Sequence, residues 1–549
     1  MNKKWIFTSQ NSDDVVEQIL TSRGIARSDW PNFLNPDFSQ GLHDPFLLDG
    51  MDLAVSRIIQ AIDNNEIVGI FADYDADGIP ASALLAQTLQ KIGLKTFVYI
   101  PSRDEGYGLN QNGIDELKKN GAKVLITVDL GIREIKNTEY AKSLGLDVII
   151  TDHHEPGEDI PKALAVINPK LKNSKYPFRE LSGGGVAFKL IQALATKITK
   201  ISNNDLKWML DLVGITTICD VVPLVDENRI FAKFGLMVLQ KTKRLGLKKL
   251  YEVSGIDSTK ISTYTVGFQI GPRLNAPGRL NQKQESFELL MTTNEERAGR
   301  LAVELDAINK KRQDELERIL VEARNLVLAN KLNQKKVICL SQKDWPSGLI
   351  GLVAGKLVEE FSRPTIILEK GELLSKGSAR SIDNYNIVEV FESVKTLLKS
   401  FGGHAKAAGL TIKNDQLENF YDQLLEIADT KLTDNDLVPK INIDMKLKVE
   451  QLDLNLFDEI QKLEPFGLGN PRPVFALTDI AANNIRTIGL KNNHLKFKVD
   501  DIDVIAFGMG KLSSKIIDQK FDLAFTIDEN IWNGSRKLQL KVIDIKLSE

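Results

Sequence analysis

Ile67-Val68-Gly69-Ile70-Phe71-Ala72-Asp73-Tyr74-Asp75-Ala76-Asp77-Gly78 is the stretch that decides the architecture. Its opening residues are short, β-branched and apolar on both faces, as in a strand of a parallel sheet covered on both sides. The run then breaks into three aspartates. Two later runs repeat the pattern: Val124-Leu125-Ile126-Thr127-Val128 leads into Asp129-Leu130-Gly131, and Val148-Ile149-Ile150 leads into Asp152-His153-His154. Helical stretches near 81–92 and 133–144 separate the runs, which predicts a doubly wound α/β domain.

In a parallel sheet the C-terminal strand ends share one edge, where doubly wound folds place their ligands. A fourth acid, Asp220, closes the apolar run 212–219. Several carboxylates and one or two imidazoles converging on one point repel one another unless cations neutralise them. Oxygen-rich ligation with a little nitrogen suits Mn²⁺ or Mg²⁺ better than zinc or copper. A calcium loop of the EF-hand kind is excluded. Counted from Asp73, its twelfth position is Leu84 instead of glutamate, and a strand precedes the loop. Helix capping by each aspartate is the plainer alternative, but four acids plus a histidine pair on one edge fit it poorly. Adjacent residues leaving a strand point to opposite sides, so one of His153 and His154 is expected to ligate metal and the other to face the substrate.

Around this core, 549 residues suffice for three to four domains. A hydrophobic share of 42% with 26% charged residues is ordinary globular composition. No apolar run approaches the ~20 residues of a membrane helix. The N-terminus has the charge of a signal peptide without its apolar region. Two cysteines, Cys219 and Cys339, exclude a disulfide framework and a thiolate zinc cluster, and suit a reducing cytoplasm. The net charge of −3 excludes one pervasive basic field, so any attraction for nucleic acid must come from local patches.

Residues 1–49, with Trp5, Trp30, Phe33 and Phe38, are expected to form an arm packed on the α/β domain at 50–285. Leu301, Leu305, Ile308, Leu316, Ile319, Leu320, Ala323 and Val327 recur at helical spacing and predict a long connecting helix within 286–332, with its apolar face in the core. A smaller α/β domain is expected at 333–435, with strands near 337–340 and 365–368 and glycine-rich loops at Gly377 and Gly402. From 440 to 549 short alternating runs at 494–499, 504–507, 523–527 and 538–545 read as a small β-barrel, an oligonucleotide-binding barrel among the options. Lys491, Lys496, Lys498, Lys511 and Lys515, with Phe497 or Trp532, are its candidate strand-binding residues. The basic run Lys241-Thr242-Lys243-Arg244, with Lys248 and Lys249, reads as a solvated face.

With these residues in hand, the chain resembles the DHH phosphoesterase superfamily, named for the triplet Asp152-His153-His154. The order DYDADG, VDLG, DHH and then Asp220 in ICDVVPL matches, and Phe401–Gly409, FGGHAKAAG, resembles the signature of the associated DHHA1 domain. Arg103 in PSRDEGYGL, GPRLNAPGRL at 271–280, GSARS at 377–381 and EPFGLGNPRPVF are similar to its RecJ-type branch of single-strand-specific 5′→3′ exonucleases. The resemblance implies two divalent ions, Mn²⁺ or Mg²⁺, held by Asp75, Asp77, Asp129, His153 and Asp220. Asp129 or Asp220 would bridge them, and Asp73 and Asp152 would lie at the edge of the site or behind the ligands. His154 would address the scissile phosphate. Arg103, Ser378 and Arg380 would recognise a 5′-terminal phosphate, with Gly402, Gly403 and His404 contacting substrate from the second lobe. Tyr107 would stack on a base or fill a turn. Arg273 and Arg279, with Asn275 between them, would contact the DNA backbone or bond loop carbonyls.

The chain departs from the family pattern at Leu130, at Leu181–Gly185 and at Trp345–Gly348, none of them an expected ligand. The activity so implied is metal-dependent removal of 5′-mononucleotides from single-stranded DNA in recombination and repair, with a helicase and a single-strand-binding protein as partners. Two other classes compete: a phosphodiesterase or phosphatase of small nucleotides, which would lack the β-rich tail, and an inactive scaffold, which would have lost ligands. Salt separates them, because a long DNA track weakens steeply with salt.

Overall fold

The computed structural model describes residues 3–280 and 285–548, in two compact units. The larger comprises Trp5–Leu274, residues 285–302 and residues 441–548; the smaller comprises residues 3–4, 275–280 and 303–440. Among the described residues no helix is long and apolar enough to cross a membrane. Met1 and Asn2, part of the N-terminal stretch weighed above, lie outside them.

The larger unit is built on a parallel five-stranded sheet in the order Lys95–Tyr99, Ile67–Ala72, Ala122–Val128, Asp147–Thr151, Ala165–Ile167. The apolar runs do form its interior: Val68, Ile70, Val124, Ile126, Ile149 and Ile150 are fully buried. Sequence order reverses between Ile67–Ala72 and Ala122–Val128. That reversal is the crevice where open α/β sheets bind ligands. Helices Gly78–Lys91 and Gly183–Lys197 pack against each other beside the sheet, and helix Leu210–Cys219 packs on both.

The C-terminal part of this unit is a seven-stranded, mostly antiparallel sheet. Its strands His494–Val499, Ile502–Ala506, Phe521–Trp532 and Ser535–Leu547 fall on the four alternating runs. The arm divides between two cores: Phe38 meets the Phe188 and Phe234 rings of the α/β domain, whereas Val15, Ile19, Leu20 and Phe33 are buried in one cluster with Phe457, Phe475, Phe497, Phe521 and Phe525. Helix Val15–Ser22 is amphipathic, and the apolar face it must cover is the C-terminal one. Arg229, on helix Asp226–Leu239, ties the pieces together. Its guanidinium donates to the carbonyls of Phe33 (2.6 Å), Leu463 (2.9 Å) and Glu464 (2.9 Å), and lies 3.8 Å from the Phe33 ring centroid. Burial, then nearby Arg23, pushes its pKa down to about 9.

Helix Glu295–Ala329 carries the chain from one unit to the other, and all eight apolar positions that predicted it are buried. In the smaller unit the sheet order is Leu398–His404, Ala407–Lys413, Leu374–Arg380, Thr365–Lys370, Ile338–Gln342, antiparallel except for the last pair. Gly377 and Gly402, expected in loops, sit inside strands. Gly377 packs where a Cβ would meet Leu410 at 2.6 Å, and Gly402 pairs with Gly409. Residues Gly271–Arg279 of GPRLNAPGRL are helical despite Pro277.

Candidate metal centre

The sheet ladder itself lines up the acids. One residue past each strand, Asp73 N–H donates to the Val128 carbonyl (3.2 Å), Asp129 N–H to Thr151 (3.0 Å) and Asp152 N–H to Ile167 (3.1 Å). Three carboxylates thus stand side by side on one edge. Asp75 then turns the chain, accepting from the N–H groups of Asp77 (2.9 Å) and Gly78 (3.1 Å) at the start of helix Gly78–Lys91. The capping alternative is therefore correct for this one aspartate. Asp220 arrives differently, as the residue that ends helix Leu210–Cys219.

Asp77 is held at the N-terminus of helix Gly183–Lys197, where Gly183 N–H donates to Oδ2 (2.7 Å) and Gly184 N–H to Oδ1 (2.8 Å). A helix N-terminus favours such a carboxylate. The approach is close enough to demand glycine: a Cβ on Gly183 would lie 2.5 Å from Asp129 Oδ1 and 2.6 Å from Asp129 Cβ. Asp129 itself has φ +64°, a left-handed conformation that aspartate tolerates better than most residues with a Cβ.

Three groups of donors within 4.8 Å of one another result: Asp73–Asp75–Asp129, Asp77–His153–Asp220 and Asp129–His153–His154. Asp73, expected at the edge of the site or behind the ligands, is a buried member of the first group. His153 Nε2 lies 3.1 Å from Asp129 Oδ1, 3.5 Å from Asp220 Oδ2 and 3.8 Å from Asp77 Oδ2. Both His153 Nε2 and Asp129 Oδ1 are buried without a hydrogen-bond partner, an expensive arrangement unless something coordinates them. Burial, then mutual repulsion, raises the pKa values of Asp73, Asp129 and Asp220 well above the usual carboxylate range and that of Asp77 to about 7. Burial, then His154, lowers His153 to about 3, so its imidazole is neutral and able to ligate. A dense set of oxygens with one neutral imidazole fits a hard divalent cation.

The two histidines divide as their alternation predicts. His153 is buried among the acids, whereas His154 is a third exposed at its side chain and donates from Nδ1 to Asp152 Oδ1 (2.8 Å). Although burial opposes its charge, that carboxylate raises the His154 pKa. Asp152 is buried and accepts also from the N–H groups of Ile132 (2.8 Å) and His153 (2.7 Å). Tyr107 does more than fill a turn. Its hydroxyl reaches the Asp129 carbonyl (3.3 Å) and His154 Nδ1 (3.2 Å), and its ring meets the His154 ring edge-to-face. Arg103 lies over the Tyr74 ring at 5.0 Å. Leu130, a departure from the family pattern, points into the apolar core.

In the smaller unit Arg380 donates to Ser378 Oγ (3.1 Å) and the Ala379 carbonyl (2.9 Å), and burial lowers its pKa. Gly351 leaves this pair room, since a Cβ there would meet Ser378 Oγ at 2.9 Å and Arg380 at 3.0 Å. Gly402, Gly403 and His404 lie on the neighbouring hairpin, with Gly409 opposite Ser378 and Ala407 opposite Arg380. Arg279 donates to the Gly348 carbonyl (2.8 Å), and in the larger unit Arg273 donates to Gln269 (2.7 Å). Asn275 is half-buried on the same helix.

Two candidates in the C-terminal domain separate. Phe497 is buried against Phe521 and offers no platform, because inward strand positions must fill the core; Trp532 is 74% exposed. Sequence reasoning missed Tyr264 and Phe268, which are 62% and 67% exposed and stacked at 4.9 Å. They sit on the turn Val266–Ile270 and the residues before it, packed against the end of the Asp220 helix. Their i,i+4 spacing next to GPRLNAPGRL was the available signal.

The sequence matches the RecJ OB domain over residues 443–544, the DHH family N-terminal domain over 67–217 and the DHHA1 domain over 334–433. The single-stranded-DNA-specific exonuclease RecJ of Bacillus subtilis (strain 168) is 38% identical over 545 residues, 97% of this chain and 68% of that protein. The protein of the same name from Escherichia coli (strain K12) is 33% identical over 526 residues, 91% of this chain and 90% of that one. The crystal structure of RecJ in complex with Mn²⁺ from Thermus thermophilus superposes over 100% of this chain and 80% of its own, with a TM-score of 0.86 at 28% identity; the Mg²⁺ complex gives 0.79. The chain belongs to the RecJ family.

Proposed function

We propose that the protein is a single-stranded-DNA-specific exonuclease that removes 5′-mononucleotides in the 5′→3′ direction. One observation carries the chemistry: buried carboxylates and a neutral imidazole converge at the sheet's switch point with two donor atoms unpaired. Two divalent cations held there would activate water as a nucleophile at neutral pH and offset the negative charge that develops at the phosphate. Asp75, Asp77, Asp129, His153 and Asp220 would hold the ions, Asp129 being the carboxylate that belongs to two of the donor groups. His154, whose charged form the Asp152 carboxylate favours, donates to a non-bridging phosphate oxygen, a contact worth ~2.7–4 kcal/mol by analogy with oxyanion-hole donors. Tyr107 orients His154.

Arg380, beside Ser378, receives the 5′-phosphate, since an arginine fork holds phosphate in two-point contact, and Arg103 is a phosphate contact of the larger unit. Gly402, Gly403 and His404 contact the strand, and Tyr264 with Phe268 gives it a stacking platform. The C-terminal domain favours a long strand over a dinucleotide as substrate, and a helicase and a single-strand-binding protein fit as partners in cytoplasmic recombination and repair. Digestion of end-labelled single- and double-stranded oligonucleotides with Mn²⁺ tests the reading. Equal cutting of duplex, or release from the 3′ end, would falsify the polarity. Asp129→Ala is expected to abolish turnover while DNA binding persists.

A further inference from the structure

We propose, on the metal-centre reading above, that the turn at residues 466–470 of the C-terminal domain positions Asp220. It holds the main chain that leaves this carboxylate, and so sets how tightly the centre binds its divalent ions. The turn lies in EPFGLGNPRPVF, a motif to which the chemistry so far gives no task.

Asp220 is the least supported of the expected carboxylate ligands. Main-chain N–H groups hold Asp75 and Asp77. No N–H or O–H group among the described residues donates to the Asp220 carboxylate, and its side chain is 25% exposed, against 1% for Asp77 and 3% for Asp129. Its place therefore depends on where the main chain runs. Upstream, Asp220 N–H donates to the Thr216 carbonyl (2.9 Å) at the end of helix Leu210–Cys219. Downstream comes Val221, with φ +59° and 62% exposed. A β-branched residue keeps the left-handed conformation only where its surroundings impose it. An exposed side chain cannot do so, and the restraint must come from the residues that follow.

The turn supplies it. Buried Leu224 donates its N–H to the Leu468 carbonyl (2.7 Å). Two glycines permit the approach: a Cβ on Gly467 would lie 2.7 Å from Leu224 Cδ1 and 3.1 Å from Cγ, and one on Gly469 would lie 3.0 Å from Pro223 Cβ. The turn itself is rigid. Gly467 and Asn470 exchange main-chain hydrogen bonds (2.8 and 3.1 Å). The buried Asn470 amide donates to the carbonyls of Leu463 (2.8 Å) and Pro465 (2.9 Å), and its oxygen accepts from Arg23. A fully satisfied polar network of this kind stiffens what it joins. Just past the loop, Arg229 binds the Leu463 and Glu464 carbonyls, so residues 221–225 are gripped at both ends. Without that grip Val221 would relax, and the last turn of the helix, carrying Asp220, would move with it. The group Asp77–His153–Asp220 is thus complete only with residues 441–548 in place, although that domain contributes no member to it.

The test titrates the full-length, EDTA-stripped protein with Mn²⁺ and reads the free ion by electron paramagnetic resonance, below the melting temperature of each variant. Gly467→Ala and Gly467→Val press on Leu224 in increasing measure. Gly467→Val combined with Leu224→Ala moves the same number of carbons across the contact. Leu523→Ala weakens the same core without touching the turn, and Asp220→Asn marks loss of the ligand itself. The glycine variants are expected to weaken Mn²⁺ binding ~10–100-fold, towards Asp220→Asn, as loss of support behind a ligand does. The exchange is expected to recover most of that loss, and Leu523→Ala to lower the melting temperature with Mn²⁺ affinity unchanged. Unaltered affinity in a folded glycine variant overturns the proposal, as does equal weakening by Leu523→Ala or an exchange no better than Gly467→Val. A parent protein that binds no Mn²⁺ removes the metal centre, and the proposal with it.

Discussion

Gly183→Ala is the sharpest perturbation of the metal centre that touches no ligand. The new Cβ would lie 2.6 Å from Asp129 Cβ, whereas ordinary contact begins at 3.4 Å, so helix and carboxylate must part by about 0.8 Å. The same movement pulls the Gly183 and Gly184 N–H groups from Asp77. A displacement near 1 Å at reacting groups lowers turnover on the order of 100-fold, or about 2.7 kcal/mol. Overpacking adds ~1–3 kcal/mol of destabilisation. Gly185→Ala, two residues on, is the control: its Cβ meets nothing closer than Leu181 at 3.4 Å. Replacing a helical glycine there stabilises by ~0.5–1 kcal/mol. Steady-state digestion of 5′-labelled single strands over a Mn²⁺ titration, with thermal melting, reads both. Gly183→Ala within threefold of the parent at saturating Mn²⁺ would refute the close-approach reasoning.

Other outcomes follow from the same geometry. Without metal, Asp73, Asp77, Asp129 and Asp220 carry raised pKa values, so the folded state binds more protons than the unfolded chain. For Asp77 the contribution is full below about pH 4 and is lost as pH rises through about 7, and the other three act in the same direction; melting in EDTA is expected to fall as pH rises over that window, and Mn²⁺ to restore it most at the alkaline end. Phe268→Ala and Tyr264→Ala are each expected to weaken single-strand affinity by ~1–3 kcal/mol with turnover at saturation little changed, measured by anisotropy and kinetics. Arg380→Ala is expected to erase the preference for a 5′-phosphate over a 5′-hydroxyl end, read by competition between the two substrates.

What was legible in the sequence was whatever a short segment decides by itself. Short apolar runs without alternation, each ending in aspartate, announced both the parallel sheet and its ligand edge, and the i,i+3/i+4 spacing of Leu301 to Val327 announced the connecting helix. Partners set by tertiary packing were not legible. Val15, Ile19 and Leu20 show an apolar helix face but not which core receives it, and Phe497 alternates correctly while giving no sign of which side is inward. Gly377 and Gly402 read as loops because close strand packing and a turn ask for the same residue. Asp220 announced an acid at the end of an apolar run, whereas only the fold shows that a helix delivers it.

The burial of the arm in the C-terminal core has a consequence for synthesis. Val15, Ile19, Leu20 and Phe33 leave the ribosome early, but Met445, the first C-terminal residue of their cluster, follows about 410 residues later. At ~5–20 residues per second that delay is on the order of 20–80 s. Throughout it the nascent chain displays an apolar helix face with no native place to go, and a chaperone able to shield that face would determine how much of the protein reaches its folded state.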